Sequence, residues 1–255
     1  SGGSNSVGSN LKDDDKKKSA WIRKDYAKKV FDDYYDFKRY LNKKIHLALG
    51  IDYTFLNQFA TYSASDIQAS SGVFRFYGTW QAPVKNKSNN GAFIFKIENR
   101  HGIGPGVTPR NLGYEAGAAL STATFKDFSW GLTNFYWKQY LYNRKIGIVF
   151  GIMDPGDWLD LYPLLNPFTF YLNEAFFNSP AMAIPNQGLG MAVAFKEIFK
   201  KFYVSGGIHD ANGEPFNFIV DNVKSFFQKS GGLFSGLRQR ILPVLIGLPQ
   251  LAQLR

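Results

Sequence analysis

From His46 onward, apolar residues recur at every second position. In HLALGIDYTFLNQF (46–59), Leu47, Leu49, Ile51, Tyr53 and Phe55 share one face, while Asp52, Thr54 and Gln58 take the other. A strand points successive side chains to opposite sides, so a period of two predicts β-structure with two chemically distinct faces. The scheme returns in GVFRFYGTW (72–80), with Phe74, Phe76 and Trp80 against Arg75, Tyr77 and Thr79. FIFKIENRH (93–101) sets Phe93, Phe95 and Ile97 against Lys96, Glu98 and Arg100. FSWGLTNFYWKQY (128–140) and KIGIVFGIMD (145–154) follow it, and MAVAFKEI (191–198) with KFYVSGGIHD (201–210) reads as a hairpin turning near Glu197–Lys200. Roughly eight to ten strands are expected between 46 and 228, separated by Gly, Asn, Asp, Pro and Ser turns. The fold class is therefore all-β and antiparallel.

Upstream the period changes. Trp21, Tyr26, Val30, Tyr34, Phe37 and Leu41 recur at three- to five-residue steps, which predicts an amphipathic helix over 20–45. Packing against the main domain, or binding a membrane surface or partner, are both open to it. Residues 1–19, Gly/Ser/Asn followed by a charge block, offer little apolar area to bury and are expected to be a disordered tether. Two non-strand stretches, 102–113 and 154–190, interrupt the strands. The second is too long for a passive connection, and such loops commonly cover or narrow an opening.

Periodicity alone leaves open a soluble β-protein with one face in a dry core and a barrel with one face in lipid. Composition shifts the picture. Aromatic residues make up 17% of the chain, yet hydrophobic residues total an ordinary 45%, and no apolar run nears the ~20 residues of a spanning helix. Many polar-face positions are small (Gly147, Gly151, Ser205, Gly207), and aromatics gather toward strand ends. That distribution suits an outward apolar band with aromatic girdles. The net charge of +10 raises the question of a polyanion partner. Residues 1–46 hold 12 Lys/Arg against 7 Asp, however, so half of the excess lies in the N-terminal segment. A groove for nucleic acid would also need cations and rings on one face. Here Arg75 and Lys96 point away from Phe74, Phe76, Phe93 and Phe95, so no nucleic-acid partner is expected.

No covalent chemistry is indicated. There is no Cys, and His46, His101 and His209 stand at no metal-ligand spacing. No nucleophile elbow or phosphate loop is present; HGIGPG (101–106) lacks the phosphate-loop Lys. An enzyme, a metal site and a cofactor are all unexpected. The chain opens at Ser1 without an apolar leader, which leaves open whether one precedes it.

Residues 140–213 carry a more specific signal. A Gly-x-x-Asp strand end (Gly151 to Asp154) leads into Asp-Trp-Leu-Asp (157–160), followed by Asn-Pro (166–167) and Phe-Asn-Ser-Pro-Ala (177–181). Ile-Pro (184–185), Gly-Leu-Gly (188–190) and Tyr-Val-x-x-Gly-Ile-x-Asp-Ala-Asn-Gly (203–213) complete the run, with Glu98-Asn99-Arg100-His101 upstream. In order and spacing this resembles the carbohydrate-selective porin family of outer membranes, the OprB type, over about residues 46–228.

The resemblance implies a sixteen-stranded antiparallel transmembrane β-barrel that passes sugars by diffusion, with carbohydrate as substrate and outer-membrane lipid around it. Phe74, Phe76 and Trp80 would then face lipid. The pore-lining candidates are Arg75, Lys96, Glu98, Arg100 and Glu115, with Asp154 and Asp157 on the long loop, because inward charged and hydrogen-bonding groups set selectivity in such pores. Each could equally be an ordinary solvated charge, and Glu98 with Arg100, two residues apart on one face, forms the sharpest pair. The resemblance breaks after Lys229. GGLFSGLRQRILPVLIGLPQLAQLR has a different composition and is expected to form at most a short apolar helix broken at Pro243 and Pro249. Eight to ten strands also fall short of sixteen, so a truncated, non-functional remnant stands as an alternative beside a soluble basic domain. Oligomeric state is left open.

Overall fold

The structure is a computed structural model of the 255-residue chain. It describes residues 3, 5–15, 25–84, 87–118, 121–158, 166–176, 185–198, 202–210, 213, 215 and 240–247. Two helices come first, α1 (Val7–Asp14) and α2 (Asp25–Ile45). They are followed by strands β1 (Leu47–Phe59), β2 (Gln68–Gln81) and β3 (Gly91–Gly102). After the short helix α3 (Pro109–Glu115) come β4 (Ser129–Leu141), β5 (Ile146–Met153), β6 (Gly188–Ile198), β7 (Phe202–His209) and β8 (Arg240–Gly247). The eight strands form one sheet in chain order, and β4–β5, β5–β6, β6–β7 and β7–β8 pair antiparallel. Among the described residues β1 and β8 are its edges, so the sheet is open.

The seven strand segments named from the sequence are present, and among the described residues between 46 and 228 they are the whole set, short of the eight to ten expected. The tail departs from expectation. Residues 240–247 add a strand to β7 instead of forming a helix, and the rest of the tail lies outside the described residues. The register slips between Ser205 and Gly207, which face Leu245 and Leu242, so one extra residue of β8 is accommodated beside Pro243. A bulge is where a strand tolerates a residue without an N–H. The expected tether also departs. Residues 7–14 are helical, with Val7, Asn10 and Leu11 buried. The Asn10 side-chain amide donates to the Asn5 carbonyl (3.1 Å) and brings the preceding turn along. The amphipathic helix stands at 25–45, its expected first residues 20–24 lying outside the described residues. Phe37, read on its packing face, is exposed with Phe31 and Tyr40, while Lys38 is buried.

The chain divides into two compact units. In the first (Ser1–Thr79, Phe95–Leu132, Pro155–Ile184), Ile51, Tyr53 and Phe55 of β1 are exposed. Arg75, Tyr77, Lys96 and Glu98 are buried. In the second (Trp80–Ile94, Thr133–Asp154, Pro185–Arg255), Phe135, Phe150, Met191, Phe195 and Ile208 are exposed, while Asn134 and Tyr136 are buried. The first unit thus inverts the usual arrangement, in which long charged side chains stay in water and large apolar ones are covered, whereas the second exposes rings but also buries Ile94, Val149, Ile152 and Met153. Packing in the first unit is tight along β1 and β2, where a Cβ at Gly50 would collide with the Tyr77 ring.

Candidate functional site

The buried face of the first unit carries a ladder of charges from three neighbouring strands. Alternation places Asp52 of β1, Arg75 of β2, and Lys96, Glu98 and Arg100 of β3 on the side away from the exposed rings. Arg75 grips Asp52 with both sides of its fork, Nε to Oδ1 at 2.7 Å and Nη2 to Oδ2 at 2.9 Å. On β3, Glu98 Oε2 accepts from Arg100 Nε (2.9 Å) and Nη2 (2.6 Å), and Lys96 Nζ lies 3.5 Å from Glu98 Oε1. Lys96 and Glu98 are each 1% exposed. Charges leave water only when paired, and two-pronged Arg–carboxylate contacts are among the strongest pairings.

Polar and aromatic groups from outside the strands complete the setting. Arg75 Nη1 donates to Asn5 Oδ1 (3.0 Å), and its guanidinium lies 3.9 Å over the Phe168 ring. The Tyr77 hydroxyl reaches the Asn10 carbonyl at 3.5 Å, and Gly3 N donates to the Asp157 carbonyl (2.8 Å). Helix α1 therefore lies against the ladder. It is anchored on α2 by Lys38, which pairs with Asp14 and, at 2.6 Å, with Asp15. Burial pulls the Lys38 ammonium down, but hydrogen bonds to Asp14 and Asp15 and the Asp14 charge outweigh it and hold the group above its ordinary value.

Arg100 also donates to the Thr124 carbonyl (3.3 Å), and near it Lys126 sits over the Phe128 ring at 3.5 Å. Burial first, then the neighbouring Arg110 and Arg100 charges, push Lys126 down to about 8.

Four of the seven sequence candidates, Arg75, Lys96, Glu98 and Arg100, come together in this ladder. Three do not. Glu115 ends α3, accepting from Ser63 (3.2 Å) and Ser65. Asp154 accepts from Gln187 Nε2 (2.6 Å) in the second unit, and Asp157 is buried in a short turn that contacts Gly3 through its backbone. The sequence reading missed Asp52 as a site residue, although it stood on the polar face of β1. It also missed Asn5, Asn10 and Phe168, whose positions depend on where loops and α1 travel.

The ladder offers fixed donors and acceptors beside an aromatic face. Such a surface can exchange hydrogen bonds with a hydroxyl-rich solute without changing its covalent structure. Among the described residues no group of three or more His, Cys, Asp or Glu could hold a metal ion.

Charged groups on the covered face of a sheet and rings on its exposed face form the pattern that transmembrane β-sheets carry. No protein-family model matches the chain, and no curated protein does. Among solved structures the chain is similar to the high-pH structure of Pseudomonas putida OprB, with a TM-score of 0.53 and 18% identity. The match covers 72% of this chain and 45% of that one, so this chain spans less than half the length of the structure it resembles. At this identity the likeness is one of fold.

Proposed function

We propose that this chain is a porin of the outer membrane whose charged ladder lines a passage for carbohydrates. The observation that carries the reading is the inversion. Lys96, Glu98 and Arg75 are buried, while Tyr53, Phe55, Phe135 and Phe150 stand exposed, an arrangement that favours lipid outside and a polar lumen within. Asp52 and Arg100, the partly exposed members of the two pairs, present an acceptor and a donor for sugar hydroxyls while buried Arg75 and Glu98 hold them in place, and Phe168 supplies an apolar surface for a pyranose face. A polyanion partner is disfavoured because both arginines are already neutralised by carboxylates. Outer-membrane lipid is the expected environment and a neutral sugar the expected cargo.

The test is reconstitution of the full chain into liposomes, with closure followed by migration on gels before and after boiling. Expected are a heat-modifiable band and sugar-dependent swelling. A heat-modifiable protein that passes no sugar overturns the transport reading. Aggregation without a heat-modifiable form favours the truncated, non-functional reading.

A further inference from the structure

Lys126 takes no part in the ion pairs of the ladder, yet the backbone carries it to a place where other cations stand. Arg110 N donates to the Phe125 carbonyl (3.2 Å), and Phe128 N donates to the Arg100 carbonyl (3.0 Å). Residues 125–128 are thereby strung between α3 and the end of β3, with Lys126 between the two ties. Its ammonium lies 3.5 Å from the centroid of the Phe128 ring, and the Arg100 guanidinium lies 5.7 Å from the same centroid. Cations from three segments therefore converge on this stretch, all within the first unit.

Their charges are not balanced locally. Arg100 is matched by Glu98, which also faces Lys96. Among the described residues neither Arg110 nor Lys126 forms an ion pair, and the Lys126 ammonium donates no hydrogen bond. Glu174 is the carboxylate whose charge opposes theirs, while Asp127 is exposed and lies toward Gly102. Arg110 and Lys126 are both half-buried, sheltered from bulk water but open to a solute. Like charges held together in such a place disfavour each other, and the strain is relieved by a counter-ion. A neutral solute would leave the excess untouched, and a cation would add to it. A compact anion with several acceptor oxygens can take hydrogen bonds from an ammonium and a guanidinium fork at once.

We propose that Arg110 and Lys126 form a binding site for a small oxyanion of the phosphate or sulfate class, with Arg100 at its flank. The site goes beyond the porin reading and stands without it, because binding needs the folded first unit and not a closed passage. The ion is either free or carried on a small solute. Binding also stabilises the charged form of Lys126, whose ammonium is otherwise pushed down to about 8 by burial and by Arg110 and Arg100.

The experiment titrates sodium sulfate into the full chain in an uncharged polyoxyethylene detergent, read by calorimetry. Sulfate keeps one charge from pH 7 to 10, so any change of affinity across that range belongs to the protein. Saturable binding is expected at pH 7, weakened roughly five- to tenfold in Lys126→Met and in Arg110→Met. Wild type should lose affinity by a similar factor between pH 7 and 10 as Lys126 gives up its proton. Lys126→Arg stays charged and should bind equally at both ends, which separates the charge from a merely structural role. Circular dichroism establishes that each variant retains its sheet. Inorganic phosphate and glycerol 3-phosphate are then compared at pH 7: tighter binding of the ester supports a solute-borne group, and tighter binding of the inorganic ion supports a free one. No saturable sulfate binding at pH 7 overturns the proposal, as does unchanged affinity in Lys126→Met and Arg110→Met, or an equal loss with pH in wild type and Lys126→Arg. No vesicle enters these measurements, so their failure is distinct from a failure of liposomes to swell.

Discussion

Replacing Glu98 with Gln removes one charge from the centre of the ladder and little else. The carboxylate is 1% exposed, receives two Arg100 hydrogen bonds at 2.6 and 2.9 Å, and faces Lys96 Nζ at 3.5 Å. At an effective dielectric of ~20, unit charges 3.5 Å apart attract by about 5 kcal/mol before desolvation is subtracted. Glutamine still accepts a hydrogen bond from Arg100 but takes the Glu98 charge away from the buried Lys96 ammonium. Breaking a buried pair from one side costs about 3–5 kcal/mol, because the remaining ion stays out of water. The lower half of that range is expected here, since the amide keeps part of the contact. Urea unfolding of the refolded protein, followed by tryptophan fluorescence, measures it. A second variant, Glu98→Gln with Lys96→Met, should recover part of the loss by removing the buried charge that Glu98 balanced. If Glu98→Gln shifts stability by less than about 0.5 kcal/mol, an ordinary surface effect, the ladder is solvated and the argument fails.

Three further outcomes are expected. Gly50→Ala places a methyl against the Tyr77 ring, which is 1% exposed, and should destabilise by about 1–3 kcal/mol in the same urea assay; an unchanged midpoint would show that the ring moves freely. Lys38→Met leaves Asp14 and Asp15 without their cation, so residues 5–15 should be clipped by protease several-fold faster; wild-type cleavage rates would mean that α1 is held without this anchor. Lys126, ordinarily near 10.5, is pushed down to about 8 in the folded chain. The unfolded chain therefore binds more protons between these values, and stability contributed through this group rises with pH across that window. Wild type should gain stability from pH 8 to 10 relative to Lys126→Met, and parallel pH profiles of the two proteins would contradict the shift.

The strands β1 to β7, and the two faces of β1 to β3, were legible from local order alone. A period of two is a property of a few consecutive residues, and Phe74 against Arg75, or Phe95 against Lys96, declares opposite faces whatever surrounds them. The Glu98–Arg100 pair was legible for the same reason, since residues two apart on a strand share a side. The rest depended on distant partners. Helix α1, VGSNLKDD, has weak helix formers and exists because Val7 and Leu11 are buried and Lys38 of another helix meets Asp14. RILPVLIG (240–247) is a continuous apolar run, for which period cannot separate strand from helix, and the unpaired edge of β7 decides it. Asp52 meets Arg75 only because adjacent strands align them in the sheet, and Phe168 covers the guanidinium only because a long loop returns there. Face is encoded residue by residue, whereas pairing and coverage are set by contacts between segments far apart in the chain.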